Sequence, residues 1–157
     1  MSTVGVEAPA RVPPGGALAA CPFSPESMRL FPLTHAEVSA RGEAVLIVFI
    51  EMRDHWGDTV KGTGSLELRL TRASGEPAGA TGSVWAIDLS DLARNAALYD
   101  PSTRTYRFAL DGLPGWLSAL VRGGGAIPPG VWLEAYLRTV GPDGAPETLR
   151  DRMDLGR

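Results

Sequence analysis

The sequence predicts a mainly β fold, an antiparallel sandwich, and three observations carry that expectation. Gly (19) and Pro (13) take 32 of the 157 positions, against about 19 expected from average usage of about 12%, a surplus that suits a turn-rich β protein better than a helical bundle. Seven runs either alternate apolar with polar residues or are dense in branched side chains, the two signatures of strands. Between them stand clusters of Asp, Gly, Pro and Ser such as 54–58 and 141–144, residue types that close turns. A chain of 157 residues suffices for one buried core and is small for two.

Taken in order, Met28, Leu30 and Pro32 alternate with Arg29, Phe31 and Leu33, a short strand that its proline confines to a sheet edge. Glu43 to Arg53 (EAVLIVFIEMR) is the strongest β signal; it is apolar on both faces for most of its length, as a central strand is. Val60 to Thr71 has clean period two, with Leu66, Leu68 and Leu70 on one face and Glu67, Arg69 and Thr71 on the other. A loop at 73–82 leads to Ser83–Leu89, where Trp85, Ile87 and Leu89 alternate. Ser90 is placed to cap a short helix over Asp91–Leu98. Tyr106, Phe108 and Leu110 set the inward face of the next strand. Residues 111–130 are the least regular, with Pro114 able to open one helical turn that Gly123-Gly124-Gly125 stops. Val131–Val140 carries Trp132 and Tyr136 on one face, and Glu147–Leu155 is the last strand. The expected inward positions include Val45, Ile47, Leu66, Leu68, Trp85, Ile87, Tyr106, Phe108, Leu133 and Leu137. Seven such strands, with one short helix near residues 91–98, describe an immunoglobulin-like or transthyretin-like sandwich.

The sandwich is expected over residues 26–157, and residues 1–25 read as a flexible arm. Five prolines and no sustained period leave that arm too little apolar surface to offset its ordering entropy. Within it, Leu18-Ala19-Ala20-Cys21 has the form of a bacterial lipobox: a branched residue, two small residues that admit the peptidase, and the thiol that takes the lipid. Glu7, Arg11 and Pro13-Pro14 interrupt the stretch where a secretion signal would be apolar. No run approaches the 18 apolar residues of a membrane-crossing helix.

Three motifs go further in combination. Asp54 to Gly64 reads D-x-W-G-D-x-V-K-G-x-G, Trp85 to Leu89 reads W-x-I-D-L, and Tyr99 to Phe108 reads YDPSTRTYRF. Together they resemble a group of uncharacterised small bacterial lipoproteins that carry a sandwich domain behind a lipobox. The resemblance covers about residues 21–155 and implies lipidation of Cys21 and a cell-envelope location, with no assigned reaction. The Asp-x-x-Gly hairpin also looks like that of carboxypeptidase-regulatory and other prealbumin-like binding modules, an analogy of fold alone.

Composition and motifs narrow the chemistry. With a formal charge of -3 and no basic stripe, nucleic acid has no electrostatic footprint to bind. One Cys allows no internal disulfide, and two His make no His-rich or Cys-rich zinc cluster. Neither G-x-S-x-G nor a phosphate-loop Lys-Ser/Thr after Gly123-Gly124-Gly125 is present, and His35 reads as a surface or hydrogen-bonded residue. If consecutive strands run antiparallel, the connections at 54–58, 90–103 and 141–146 gather at one end. That brings Asp54, Asp58, Asp91, Asp100 and Asp143 into one region, where Asp54, Asp58 and Asp100 are calcium-ligand candidates. Mutual repulsion would then raise at least one of their pKa values. The competing reading is that Asp is the common turn and cap residue. Trp56 at a hairpin tip and Trp116 are the candidate binding-surface residues. The function class expected is a noncatalytic envelope lipoprotein, held at the membrane through Cys21 and binding a protein or carbohydrate. The alternative is a soluble, cytoplasmic accessory subunit whose arm orders on a larger assembly.

Overall fold

The computed structural model describes residues 21–73 and 83–157. Strand accounts for 46% and helix for 12% of the described residues, so the fold is mainly β, arranged in two antiparallel sheets. The 1–20 portion of the expected arm and positions 74–82 of the expected loop lie outside the described residues.

The first sheet is built on β3 (Ala44–Arg53). One edge of β3 pairs with two short strands in succession, β1 (Ser27–Leu30) and β2 (His35–Val38), and the other with β7 (Thr105–Leu110), which pairs in turn with the two-residue β6 (Tyr99–Asp100). The second sheet has the order β5 (Val84–Asp88), β4 (Ser65–Arg72), β8 (Val131–Val140), β9 (Pro146–Asp154). Nine strands therefore stand among the described residues where seven were expected. β2 and β6 are the additions, and the first strand ends at Leu30 because Pro32 and Leu33 form a turn closed by Thr34 N–H on Phe31 O at 3.0 Å. Through that turn the ladder stays satisfied, since Phe49 N–H donates to Thr34 Oγ1 at 3.1 Å. At the sandwich edge the sheets are linked by Leu30 N–H donating to Asp151 Oδ2 at 2.7 Å.

Inward side chains of both sheets share one core, including Leu46, Val48, Ile50, Leu66, Leu68, Tyr106, Leu133 and Leu137. Strict alternation decides the face on β4 and β8, as expected. On β3 it corrects the expectation for Val45 and Ile47. These two, with Phe49 and Phe31, form a separate small cluster on the other face, and their neighbours Leu46 and Val48 point into the core. Beyond that cluster Glu51 is nearly buried between Arg53 (2.8 Å) and Arg29 (3.3 Å). The Arg53 hydrogen bond chiefly holds its carboxyl below the usual range.

Two helices replace the single expected one. For α1 (Leu92–Leu98) the cap is Asp91, whose carboxylate accepts from Ala93 and Arg94 N–H. Ser90, the expected cap, is instead held by Asp88, which accepts from its N–H at 2.9 Å. The second helix, α2 (Gly115–Arg122), starts after Pro114 and ends at Gly123, a full eight residues where one turn was expected. It packs Leu117 and Val121 into the core near β2 and β3.

Candidate functional site

The antiparallel order brings the β3–β4 connection, α1 with its flanking turns, the β8–β9 turn and the entry to β1 to one end of the sandwich. At the tip of the β3–β4 connection Asp54 Oδ1 accepts from Trp56 N–H and Asp58 N–H, each at 3.0 Å, and Gly57 N–H closes on Asp54 O. With its backbone so committed, the turn projects the Trp56 side chain outward, 61% exposed. The Trp56 ring lies 5.8 Å from that of Phe23, itself 64% exposed, and takes the His55 ring edge-on at 5.7 Å. His55 Nδ1 faces Glu26 Oε2 at 3.2 Å. Two residues before Phe23 stands Cys21, exposed, in a turn closed by Ser24 N–H on Cys21 O at 3.1 Å. Cys21, Phe23 and Trp56 thus share one end, and Phe23 is the member that sequence reasoning passed over. Its only signal was a large aromatic residue inside a proline-rich stretch.

The aspartates at this end turn back on their own backbone. Asp54 is nearly buried, Asp91 caps α1, Asp143 accepts from Ala145 N–H at 3.0 Å, and Asp100 accepts from Ser102 N–H at 2.9 Å. Among the described residues no three His, Cys, Asp or Glu side chains form a group able to hold a metal ion, so Asp54, Asp58 and Asp100 do not make one. The raised carboxylate expected from their repulsion is not seen at Asp100. Its carboxyl is held below the usual range, chiefly by the Ser102 N–H.

Behind the tip lies a buried polar node. Gly62 N–H donates to the Tyr106 hydroxyl at 3.0 Å, and that hydroxyl donates to Asn95 Oδ1 at 2.8 Å. Asn95 Nδ2 donates to Gly62 O at 2.7 Å and to Leu89 O at 2.8 Å. Burial raises the Tyr106 pKa and keeps the phenol in its donating form. Tyr99 packs edge-on against Tyr106 at 5.3 Å, with Lys61 Nζ 4.8 Å above the Tyr99 ring. Two glycines let the chain pass: a Cβ on Gly62 would meet Met52 Sδ at 2.6 Å, and Gly64, at φ +138°, would bring one within 2.1 Å of Arg138 O. Gly62, Gly64, Tyr99, Tyr106, Asp54, Asp88 and Asp100 of the three sequence motifs therefore have structural work at this end.

The opposite end holds a cleft of about 450 Å³ between β2 and the segment after α2, lined by His35, Glu37, Val121, Ile127, Leu155 and Arg157 among others. His35 Nδ1–H donates to Leu33 O at 2.7 Å, its Nε2 faces Glu37 Oε2 at 3.1 Å, and its ring stacks on Phe49. No pattern along the chain announces this cleft, because its lining is drawn from the second, α2-proximal and last segments. Trp116 is also at this end, half-buried on α2 under the Arg72 guanidinium at 4.0 Å. Its Nε1 is buried with no hydrogen-bond partner among the described residues. Trp56 and Trp116, the two binding-surface candidates, are thus at opposite ends.

The class of protein these features define is a mainly β domain of two antiparallel sheets, with an aromatic tip beside its single thiol. No protein family, curated protein or solved structure matches the chain.

Proposed function

We propose that this chain is a noncatalytic lipoprotein of a bacterial cell envelope, tethered through Cys21 and presenting an immunoglobulin-like sandwich to a protein or carbohydrate partner. The observation that carries the reading is the position of Cys21: an exposed thiol in the turn that leads into β1, directly after Leu18-Ala19-Ala20. An acyl anchor there would leave every strand of the domain intact. The strand orders β1-β3-β7-β6 and β5-β4-β8-β9 favour the immunoglobulin-like type over the transthyretin-like one. They correspond to A-B-E-D in one sheet and C′-C-F-G in the other. In place of the disulfide and tryptophan that fill antibody cores, leucines of β4 and β8 fill this one.

Fractionating cells that express the chain with its native upstream region tests the tether. The membrane fraction should hold a species lacking the first twenty residues and carrying acyl chains by intact mass, and Cys21→Ser should move the protein to the soluble fraction. Equal membrane retention of both forms would refute the anchor, and so would an uncut chain found only in the soluble fraction; its co-elution there in a larger complex would favour the accessory-subunit alternative.

A further inference from the structure

The exposed aromatic tip is unexplained by the packing of the domain. Phe23 and Trp56 lie against each other, with His55 edge-on to Trp56, yet stay 64% and 61% exposed, although burying either ring would stabilise the fold. Among the described residues the same end also carries Leu92 and Val140, both strongly exposed, while Leu33, Val38 and Val84 are the large exposed apolar residues elsewhere. We propose that Phe23 and Trp56 form a bilayer-contact patch, inserted at the lipid–water interface when the domain is held at a membrane.

Three observations favour a lipid surface over a protein or a sugar. The patch stands two residues from Cys21, where the chain outside the described part ends, so a bilayer holding an anchor on that sulfur lies within about 7 Å of chain from Phe23. The inference rests on the tether reading in this respect. Second, both rings of the tip are more than half exposed and the N–H groups of its turn already have partners: Trp56 and Asp58 N–H reach Asp54 Oδ1, and Gly57 N–H reaches Asp54 O. Insertion therefore leaves few polar groups to desolvate without partners. Third, Trp and Phe are the residue types that settle at the headgroup boundary, where an indole keeps its N–H wet and buries its ring. Glu26 is engaged by His55, and Arg53, which donates to Gly57 O at 2.6 Å in the same turn, lies within Coulombic reach of Asp58, so the charges beside the tip are matched and a zwitterionic surface suffices.

Because Cys21 is the single cysteine, the full chain can be coupled through it to a maleimide lipid in phosphatidylcholine vesicles, whether or not cells acylate it. With bromine on the upper acyl chains, tryptophan emission should fall, and the loss should vanish in Trp56→Phe, which leaves Trp85, Trp116 and Trp132 as reporters. Phe23→Ser should weaken the quenching while leaving the circular-dichroism spectrum unchanged. Emission insensitive to bromine would overturn the proposal and send Trp56 back to a protein or carbohydrate partner. Quenching unaffected by Phe23→Ser would also overturn it, because the coupling alone would then explain the proximity. Quenching in vesicles combined with membrane retention of Cys21→Ser in cells would sink the tether and leave the patch standing.

Discussion

The two ends of this sandwich solve the same problem, connecting strands across an open core, in opposite ways. At the Trp56 end the connections are pinned by side chains dedicated to backbone: Asp54, Asp88, Asp91, Asp100 and Asp143 each accept from N–H groups a few residues on. Beneath them the Tyr106–Asn95–Gly62 node satisfies its buried polar atoms mutually. At the other end α2 closes the core with apolar side chains, Leu117 and Val121, and leaves Trp116 Nε1 without a partner among the described residues. The difference teaches that hydrogen-bonded loops can be both rigid and able to hold an apolar tip in water, whereas a helical plug stabilises by area and tolerates a stray polar atom.

Substitutions at the two ends should therefore differ in cost. The largest effect is expected at Gly64. A Cβ there meets the backbone of β8 at φ +138°, which no side-chain rotation relieves, so Gly64→Ala should destabilise by about 3 to 5 kcal/mol in urea unfolding. A loss under about 1 kcal/mol would mean that the end is far less rigid than its hydrogen bonds suggest. Next comes Tyr106→Phe, which deprives the Gly62 N–H and Asn95 Oδ1 of their partner in a buried site and should cost about 1 to 3 kcal/mol. Its counterpart at the other end is Trp116→Phe. There the indole N–H has no partner to lose, and what is lost is ring volume at a half-buried site and part of the Arg72 contact, so the cost should stay at about 1 kcal/mol. Reversal of that order would break the contrast between a polar and an apolar closure.

How much of this was legible in the chain follows the same division. Period two on β4 and β8 identified the inward face, because one face is apolar and the other is not. On β3 both faces are apolar, and parity alone could not choose Leu46 and Val48 over Val45 and Ile47; only pairing with β7 and packing on the second sheet decides. The strand β2, HAEV, was hidden by its length and its exposed polar residues, and β6 by having only two residues. The aspartates were visible, but a carboxylate bound to its own loop and one offered to a metal have the same spacing in sequence. The contact of Phe23 with Trp56 joins the segment before β1 to a hairpin tip, and the cleft around His35 joins β2 to the last residue. Such meetings are products of topology and leave no local pattern.

The smallest expected effect lies in that cleft and concerns pH. The His35 pKa is raised from its ordinary 6.5, chiefly by the Nδ1–H bond to Leu33 O, with Glu37 adding to it against desolvation and Arg107. Both ring nitrogens face acceptors, Leu33 O and Glu37 Oε2, so the doubly protonated ring satisfies more bonds than the neutral one. A raised folded value means that the folded state holds the proton more tightly. The resulting stability is fully present below about pH 6.5, the unfolded value, and is lost as pH rises through the folded value. The ring is half exposed, so solvent screens the pair and the change in stability should be slight. The sharper reading is the titration itself: the His35 ring proton resonance should have its midpoint above 6.5, and Glu37→Gln should lower it. A midpoint at or below 6.5 would show that in solution the ring leaves Leu33 and Glu37. The β2 side of the cleft would then be as loosely held as the Trp56 end is firmly held.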